Sequence, residues 1–374
     1  MKKSLAPICA MVFLEFLAMG LPLPVLPTHV HDTLGFGSFV VGLVIGSQSL
    51  VTLITRPLAG TRSDVRGPRS AATLGLAISF LAGLLSALSG DSLVLLLLAR
   101  ALLGLGESLV ITAALAWGIA LAGRERTGVV MAWVGIAMYA ALAAGSPLGL
   151  LLDAHVGFVG LSLVAAAAPL LALATTFLAR PVAPTGGTRL PFRSVAALIW
   201  LPGAGLALCA MGFGAIAAFS TLMFRANAWS HPALVMSAFG SAYVLARLLF
   251  AKLPDRLGGA RVALGSATIA VVGQLGMLFA TSAPLAITAA ALTGFGFSLA
   301  FPAFGVEAIN RVPPQNRGAA LGAYTACFDV TMAFGIPTLG AAVGAFGYRA
   351  AFAIGAFTAA ASLLIAIILT TRRK

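Results

Sequence analysis

The sequence predicts an all-α membrane protein with about twelve transmembrane helices in two pseudo-symmetric six-helix bundles. Three observations support this prediction: the composition, an internal repeat and the placement of the basic residues. The chain has 374 residues, of which 60% are hydrophobic and only 9% are charged, whereas a soluble protein carries about 25% charged residues. Apolar windows of about 20 residues follow one another along the chain, and each is long enough to cross a bilayer as a helix.

The apolar windows give approximate limits for the spans. They are 5–27, 37–59, 70–89, 92–121, 128–152, 157–179, 195–223, 231–253, 262–281, 284–310, 317–342 and 348–370. A polar segment at 180–194 is rich in proline, glycine and arginine and interrupts the series near its middle. It predicts a cytoplasmic linker between one six-helix bundle at 1–179 and a second at 195–374.

Three sets of residues recur about 190 positions later, in the corresponding span of the other half. They are Arg56 and Asp64 with Arg247 and Asp255, Gly104 and Gly106 with Gly294 and Gly296, and Gly145 and Pro147 with Gly335 and Pro337. Glycine is common here, but three matches at nearly one offset indicate a duplicated bundle. Transporters built from parallel six-span repeats bind their substrate near the midplane between the halves.

The basic residues predict the orientation of the chain in the membrane. With the N-terminus in the cytoplasm, 20 of the 23 lysines and arginines fall on the cytoplasmic side; the others are Arg100, Arg225 and Arg349. This is the positive-inside pattern, and it accounts for the net charge of +13 without a nucleic acid partner. Both termini are therefore expected in the cytoplasm. Trp117 and other aromatic residues near span ends are expected to form a belt at the membrane interfaces.

The span from Ser92 to Trp117 is almost entirely apolar but carries Arg100 and Glu107. A charge at this depth costs about 2.5–3.5 kcal/mol on insertion scales, so these residues need compensation. Seven residues are close to two helical turns, which places both side chains on nearly the same face. We expect this face to line a wet cavity; the alternative is a structural ion pair between helices.

Three more carboxylates lie inside predicted spans. Glu15 and Asp329 fall about halfway along theirs, as Glu107 does. A carboxyl at that depth can bind and release a proton as access alternates between the two sides, and the alternative is a permanently protonated packing residue. Glu307 lies nearer the cytoplasmic end beside Arg311, where a gate and a plain helix-end ion pair are equally expected.

The loops that follow the second and eighth spans contain glycines, acids and arginines. These residues are Gly60, Asp64, Gly67 and Arg69 in the first half, and Arg247, Asp255 and Arg256 in the second. The pattern resembles the loop signature of the major facilitator superfamily, although Val65 replaces an expected arginine and Pro68 an expected basic residue. The resemblance implies a polar latch that opens and closes on the cytoplasmic side.

Two further segments resemble signatures of that superfamily. Arg100 followed by Gly104 and Gly106 resembles a signature whose arginine helps to move a proton. Gly145 to Gly149, with Pro147, resembles the Gly-Pro signature of members that work as antiporters, with Ser146 in place of a glycine. A kinked and closely packed helix is expected there in either case.

Longer segments are similar to a narrower group, the short YhhS-type bacterial members of the drug:proton antiporter branch. They are GLPLPVLPTHVHDTLGF, VVGLVIGSQSL, GVEAINRVPPQNRGAALGAYTA and FDVTMAFG. The resemblance implies a monomeric, multi-pass secondary transporter of the bacterial inner membrane that exports a small solute in exchange for protons. The alternatives are a proton symporter or uniporter for a sugar or organic acid, and a membrane sensor that does not transport.

Other functional classes lack their signatures in this sequence. There is no phosphate-binding loop and no His-Glu-x-x-His motif, and no nucleophile or acid–base set is clustered as an enzyme would need. We therefore expect neither an enzyme nor an ATP-driven pump, and no cofactor or metal. His29, His31 and Asp32 in the first external loop could bind a metal but are expected to be solvated surface residues.

Overall fold

The computed structural model describes residues 2–123, 126–182, 192–312 and 317–371. The side chain of Asp255 and most of the predicted linker, residues 183–191, lie outside the described residues. Every regular element in the described residues is helical. The chain divides into two compact units, Met1–Gly187 and Thr188–Lys374.

The N-terminal unit contains six numbered helices. They are α1 (Lys2–Gly20), α2 (Leu26–Thr28), α3 (Ser38–Arg66), α4 (Pro68–Ala87), α5 (Leu93–Ala122) and α6 (Thr127–Leu178), with a π-helical turn at His29–Thr33 after α2. The helix α6 spans both the fifth and the sixth predicted segments, and its helical dihedrals break at Gly157, which has φ 66°. The chain leaves helical geometry at Gly157, so α6 consists of two helical segments that meet there, at the boundary predicted between the fifth and sixth spans.

The C-terminal unit follows the same order. It contains α7 (Phe192–Ala226), α8 (Ala233–Phe250), α9 (Leu253–Leu257), α10 (Gly259–Leu278), α11 (Ala283–Ile309), α12 (Arg317–Val330), α13 (Ile336–Phe346) and α14 (Arg349–Thr371). A π-helical turn at Thr331–Gly335 joins α12 to α13, so the predicted eleventh span is a helix with a wide turn in its middle.

Ten helices in the described residues are long and apolar enough to cross a membrane, and α1 adds the shorter apolar stretch Leu5–Gly20. With α6 counted as two segments about its kink at Gly157, the total agrees with the predicted twelve. Many large apolar side chains are exposed on these helices, as expected of surfaces that face lipid. Trp117 is fully buried within the protein and donates a hydrogen bond to the Arg180 carbonyl at 2.8 Å.

The repeated glycines occupy equivalent contacts in the two units. A Cβ atom on Gly104 of α5 would clash with the backbone carbonyl of Gln48 on α3. A Cβ atom on Gly294 of α11 would clash in the same way with the carbonyl of Phe239 on α8. Phe239 lies at the repeat offset from Gln48. The two glycines therefore allow the same close helix crossing in each half, as small residues do at membrane helix interfaces.

Two other predicted packing positions make similar contacts. Gly106 lies against Gly75 and Ser79 of α4, and Gly296 lies against the equivalent stretch of α10. Gly145, two residues before Pro147, lies against the backbone of Gly20 at the end of α1.

In the C-terminal unit, the equivalent Gly335 meets the side chain of Met211 in place of a backbone, and Pro337 follows it at the start of α13. The α1 to α6 contact is thus closer at this point than its counterpart.

Candidate functional site

The face of α5 that carries Glu107 meets α3 inside the N-terminal unit. Gln48 of α3 donates a hydrogen bond from Nε2 to Oε2 of Glu107 at 2.6 Å, and Gln48 is 1% exposed. The same Nε2 lies 3.4 Å from the sulfur of Met19 on α1. One amide group thus contacts side chains of two neighbouring helices and fixes the position of the carboxyl.

A second carboxyl lies in the same unit. Glu15 of α1 is 2% exposed, and Ser79 of α4 donates a hydrogen bond to its Oε1 at 2.5 Å. Its other oxygen, Oε2, is buried and has no hydrogen-bond partner within the described residues. Half of the acceptor capacity of this buried carboxyl is therefore unused, which is costly for an ionised carboxylate.

Arg100 completes the group of charges. It lies on α5, is 4% exposed, and donates a weak hydrogen bond from Nε to the Val44 carbonyl at 3.4 Å. Glu107 is within electrostatic range of both Arg100 and Glu15. Glu15, Arg100 and Glu107, with Gln48 and Ser79, are called the acidic cluster below.

The acidic cluster contains two carboxyls and one guanidinium group. If all three were ionised, the cluster would carry one net negative charge in a poorly solvated place. A single proton on either carboxyl makes it neutral, and a low dielectric favours that neutral state. The net charge of the acidic cluster therefore depends on whether one of its two carboxyls carries a proton.

A cavity of about 30 Å³ lies beside Arg100. Helices α4, α5 and α6 line most of it, with the end of α1 and the segment after it. Its polar lining is Arg100 with Ser79, Ser86 and Ser162, and the rest is apolar. The predicted wet face of α5 therefore borders this space at Arg100, whereas Glu107 is not among the residues that line it.

The C-terminal unit holds aromatic side chains at the equivalent place. Phe239 and Phe297 lie at the repeat offset from Gln48 and Glu107, and their ring centroids are 6.4 Å apart. Phe213 stacks on Phe297 and on Phe328 with centroid distances of 6.2 Å. These four rings are called the aromatic cluster below, and they replace the hydrogen-bonded polar pair of the first half.

Asp329 lies next to Phe328, near the end of α12. It is 3% exposed and directly precedes Val330 and the π-helical turn. Single π-helical turns occur often at functional sites. The predicted burial of this carboxyl is therefore present, in the unit that does not contain Glu15 and Glu107.

Arg247 is paired with an aromatic residue that the sequence left unassigned. It is 2% exposed, its Nη2 donates to the hydroxyl of Tyr243 at 2.6 Å, and its guanidinium lies 5.2 Å from the Tyr243 ring centroid. Ser298 of α11 donates to the Tyr243 carbonyl at 2.8 Å. Arg256, in α9, is exposed.

The loop that follows the second predicted span is a tight turn between α3 and α4. Gly60 is buried in α3, and Gly67 has φ 84°, a conformation that favours glycine, as does its counterpart Gly258 with φ 86°. Asp64 is half-buried. Arg69 lies over the ring of Phe177 near the end of α6, 4.8 Å from its centroid. These contacts hold the end of α6 against the turn.

Glu307 caps a helix of its own unit. It is 5% exposed, and its Oε1 accepts a hydrogen bond from the backbone N–H of Ala260 at 2.8 Å, in the first turn of α10. A carboxylate at a helix N-terminus satisfies an otherwise unpaired donor and interacts favourably with the helix dipole. The sequence offered a gate or a pair with Arg311, and it did not predict this partner.

The first external loop differs from its prediction. His31 and Asp32 are exposed, with Nδ1 and Oδ1 2.9 Å apart, but His29 is half-buried and stacks on Phe158, with ring centroids 3.9 Å apart. The expectation of a solvated surface is therefore wrong for His29. No group of three or more possible metal ligands occurs in the part of the chain that the structure describes.

Comparison with known proteins gives the family. A profile of the Major Facilitator Superfamily matches residues 8–228 and 203–374. The chain belongs to the Major Facilitator Superfamily. An uncharacterized MFS-type transporter of Pseudomonas aeruginosa is 44% identical over 97% of this chain and 92% of its own length. An uncharacterized MFS-type transporter of Burkholderia pseudomallei is 41% identical over 99% of this chain and 93% of its own length.

Solved structures of the superfamily share the fold. The human organic anion transporter MFSD10 has a TM-score of 0.77 at 16% identity and covers 98% of this chain and 99% of its own. The nucleoside transporter NupG, in a D323A mutant, has a TM-score of 0.78 at 14% identity, with 97% and 99% covered. The major facilitator fold predicted from the sequence is confirmed, and the chain is a multi-pass membrane transporter and not an enzyme.

Proposed function

We propose that this transporter exports a small solute from the bacterial cytoplasm in exchange for protons, by alternating access between its two halves. The observation that carries the proposal is the acidic cluster, in which the buried Glu15, the half-buried Glu107 and the buried Arg100 become neutral together with a single added proton. Buried ionisable residues inside membrane spans are expensive and usually functional. A structural ion pair would not require the second carboxyl.

Within this proposal, Glu107 and Glu15 share the transported proton and Arg100 modulates Glu107. Gln48 fixes the Glu107 carboxyl, since its amide is the donor at 2.6 Å. Asp329 is a third candidate for proton coupling, or for binding a cationic group of the solute, in the C-terminal half. The aromatic cluster beside it provides an apolar surface for the uncharged part of the solute.

The two loops and the residues next to them would act as the gate on the cytoplasmic side. Arg69, by its contact with Phe177, and Arg247, by its bond to Tyr243, would hold helix ends together in the closed state of the cytoplasmic side. Glu307 would stabilise the start of α10 in the same state. We further propose a cytoplasmic location for both termini and function as a monomer in the inner membrane.

The first experiment measures proton release from the purified full-length protein in weakly buffered detergent. A panel of drugs, sugars, amino acids and metallophores is added to wild type, to Glu107→Gln and to Asp32→Asn. Asp32 is an exposed carboxylate of the external loop, 45% exposed at its side chain, and serves as the matched control. We expect one compound class to release protons from wild type and from the control, and none from Glu107→Gln.

Other results would point to the alternative functions. A compound that increases proton uptake in place of release would indicate a symporter. A compound that binds wild type and Glu107→Gln equally without moving protons would refute proton coupling at Glu107 and favour a uniporter or a sensor. Flux into proteoliposomes then separates these two, because a sensor binds the compound and moves none of it.

A further inference from the structure

The cavity beside Arg100 has a cationic group without a full set of partners. Arg100 Nη2 is buried and has no hydrogen-bond partner in the described part of the chain. A buried donor without an acceptor costs free energy, and the penalty is larger when the donor belongs to a charged group than when it belongs to a neutral one. Because Arg100 also lines the cavity, a ligand there could provide the missing acceptor.

The hydroxyl groups of the cavity add a second donor. Ser86 and Ser162 lie with their Oγ atoms 3.3 Å apart, and either one could be the donor. The hydroxyl that accepts in this pair keeps its own hydrogen, which is available to donate to a ligand. The hydroxyl of Ser79 already donates its hydrogen bond to Glu15. The donors therefore come from Arg100 and from the pair of Ser86 and Ser162.

Size and charge restrict the ligand. A cavity of about 30 Å³ has room for roughly two water molecules or one ion of similar size. No carboxylate is among the described residues that line it. A small acceptor with a negative charge meets these conditions best.

We propose that this cavity binds one small monovalent anion of chloride size, held by Arg100 and by the hydroxyls of Ser86 and Ser162. Binding of the anion is coupled to protonation of Glu107. When Glu107 is ionised it offsets the charge of Arg100, and when it is protonated the anion takes over that role. Glu15 is another acidic group within electrostatic range of Glu107, and whenever it is ionised it adds to the coupling by repelling an ionised Glu107.

This site goes beyond the proposed export function, because the anion stays in the N-terminal unit and is not the solute. Coupling between two ligands is reciprocal: if a proton on Glu107 strengthens chloride binding, chloride must strengthen proton binding by the same factor. Typical allosteric coupling free energies correspond to changes in affinity of this kind, and we expect a factor of about ten here.

The first test is line broadening in chloride NMR with the purified full-length protein, at an acidic and an alkaline pH. We expect stronger broadening at acidic pH for wild type and for Arg225→Gln, which removes an exposed arginine at the end of α7 and corrects for surface binding. The Arg100→Gln variant should lose the part of the chloride line broadening that depends on pH. Equal broadening in Arg100→Gln and wild type would overturn the proposal, as would its absence from wild type, which would leave only water in the cavity.

Two more variants keep the test decisive if Arg100→Gln does not fold. Ser86→Ala with Ser162→Ala keeps the charge but removes hydroxyl donors, and should weaken chloride binding roughly ten-fold, as expected for hydrogen bonds to a charged partner. Glu107→Gln imitates the protonated state and should bind chloride tightly at both pH values. Unchanged chloride affinity in the double variant, or wild-type pH dependence in Glu107→Gln, would refute the assignment.

The second test uses the reciprocal effect. Sodium chloride added to wild type in weak buffer should cause proton uptake, and an equal concentration of sodium gluconate, whose anion is too large for the cavity, should not. Glu107→Gln should take up no protons with either salt. Equal uptake with both salts would show a general effect of ionic strength and would contradict the site.

Discussion

At the scale of single residues, Gln48 shows how a neutral side chain can hold a carboxyl in an apolar span. Its amide contacts Glu107 on one neighbouring helix and Met19 on another. Loss of this contact would remove the hydrogen bond that joins Glu107 to α3. The position of the acidic cluster therefore depends on a residue with no charge.

We predict a measurable coupling between Gln48 and Glu107 in a double-mutant cycle. Gln48→Leu and Glu107→Leu, singly and together, should give a coupling of about 1–2 kcal/mol in the free energy of unfolding, near the upper range for hydrogen bonds in membranes. The cycle is measured by denaturant unfolding in detergent. Gln274→Leu, which removes an amide bonded to Thr293 in the other unit, should be additive with Glu107→Leu; zero coupling at Gln48 would contradict the contact.

His29 predicts a pH dependence at the external end of the first half. Its pKa lies below the ordinary value of 6.5 because burial disfavours the charged ring, while the Gly90 backbone, Asp153 and Asp91 oppose this shift. The unfolded state therefore binds the proton more readily. The stability that neutral His29 provides is present above pH 6.5 and is lost as the pH falls from there through the folded-state pKa.

The variant His29→Phe tests this expectation. It keeps an aromatic ring on Phe158 and removes the titrating group, so its melting temperature should decline less on acidification than that of wild type. His155→Phe, at an exposed histidine of α6, should retain the wild-type pH dependence. Parallel pH profiles for wild type and His29→Phe would show that His29 does not contribute.

At the scale of helices, the repeated glycines set how closely α5 and α11 approach their neighbours. We predict that Gly104→Ala and Gly294→Ala each destabilise the protein by about 1–3 kcal/mol, as overpacking does, because the added methyl group meets backbone in both units. Gly265→Ala is the control: it lies in α10 with open space around it and should stabilise slightly, by about 0.5–1 kcal/mol. Similar melting temperatures for all three variants would contradict the equivalent crossings.

The same helices show what the sequence could and could not predict. Length, hydropathy and the repeat offset predicted the span count and the glycine pairs, because these depend on local composition. The contact of Ser79 with Glu15 was not predictable, since it joins residues 64 positions apart. Nothing in the local sequence distinguishes Ser79 from the other serines in apolar spans. The direct junction of the fifth and sixth spans at Gly157 was not predictable either, because hydropathy gives the spans but not the backbone conformation between them.

At the scale of the whole molecule, the two halves share a backbone plan but differ in chemistry. The position that holds Gln48 and Glu107 in one half holds Phe239 and Phe297 in the other. Duplication preserved the helix crossings, and the side chains at the crossing diverged. This divergence supports a division of labour in which the first half handles the proton and the second contacts the apolar part of the solute.

That division predicts separable defects once a solute is known. Glu107→Gln should abolish accumulation driven by a pH gradient in proteoliposomes, yet keep exchange of labelled for unlabelled solute, because exchange needs alternating access but no net proton movement. Phe297→Leu should have the opposite signature, with weaker solute affinity in both assays and an unchanged number of protons per solute. If Glu107→Gln lost exchange as completely as driven transport, Glu107 would be needed for the conformational change or for solute binding, and the two halves would not divide the work in this way.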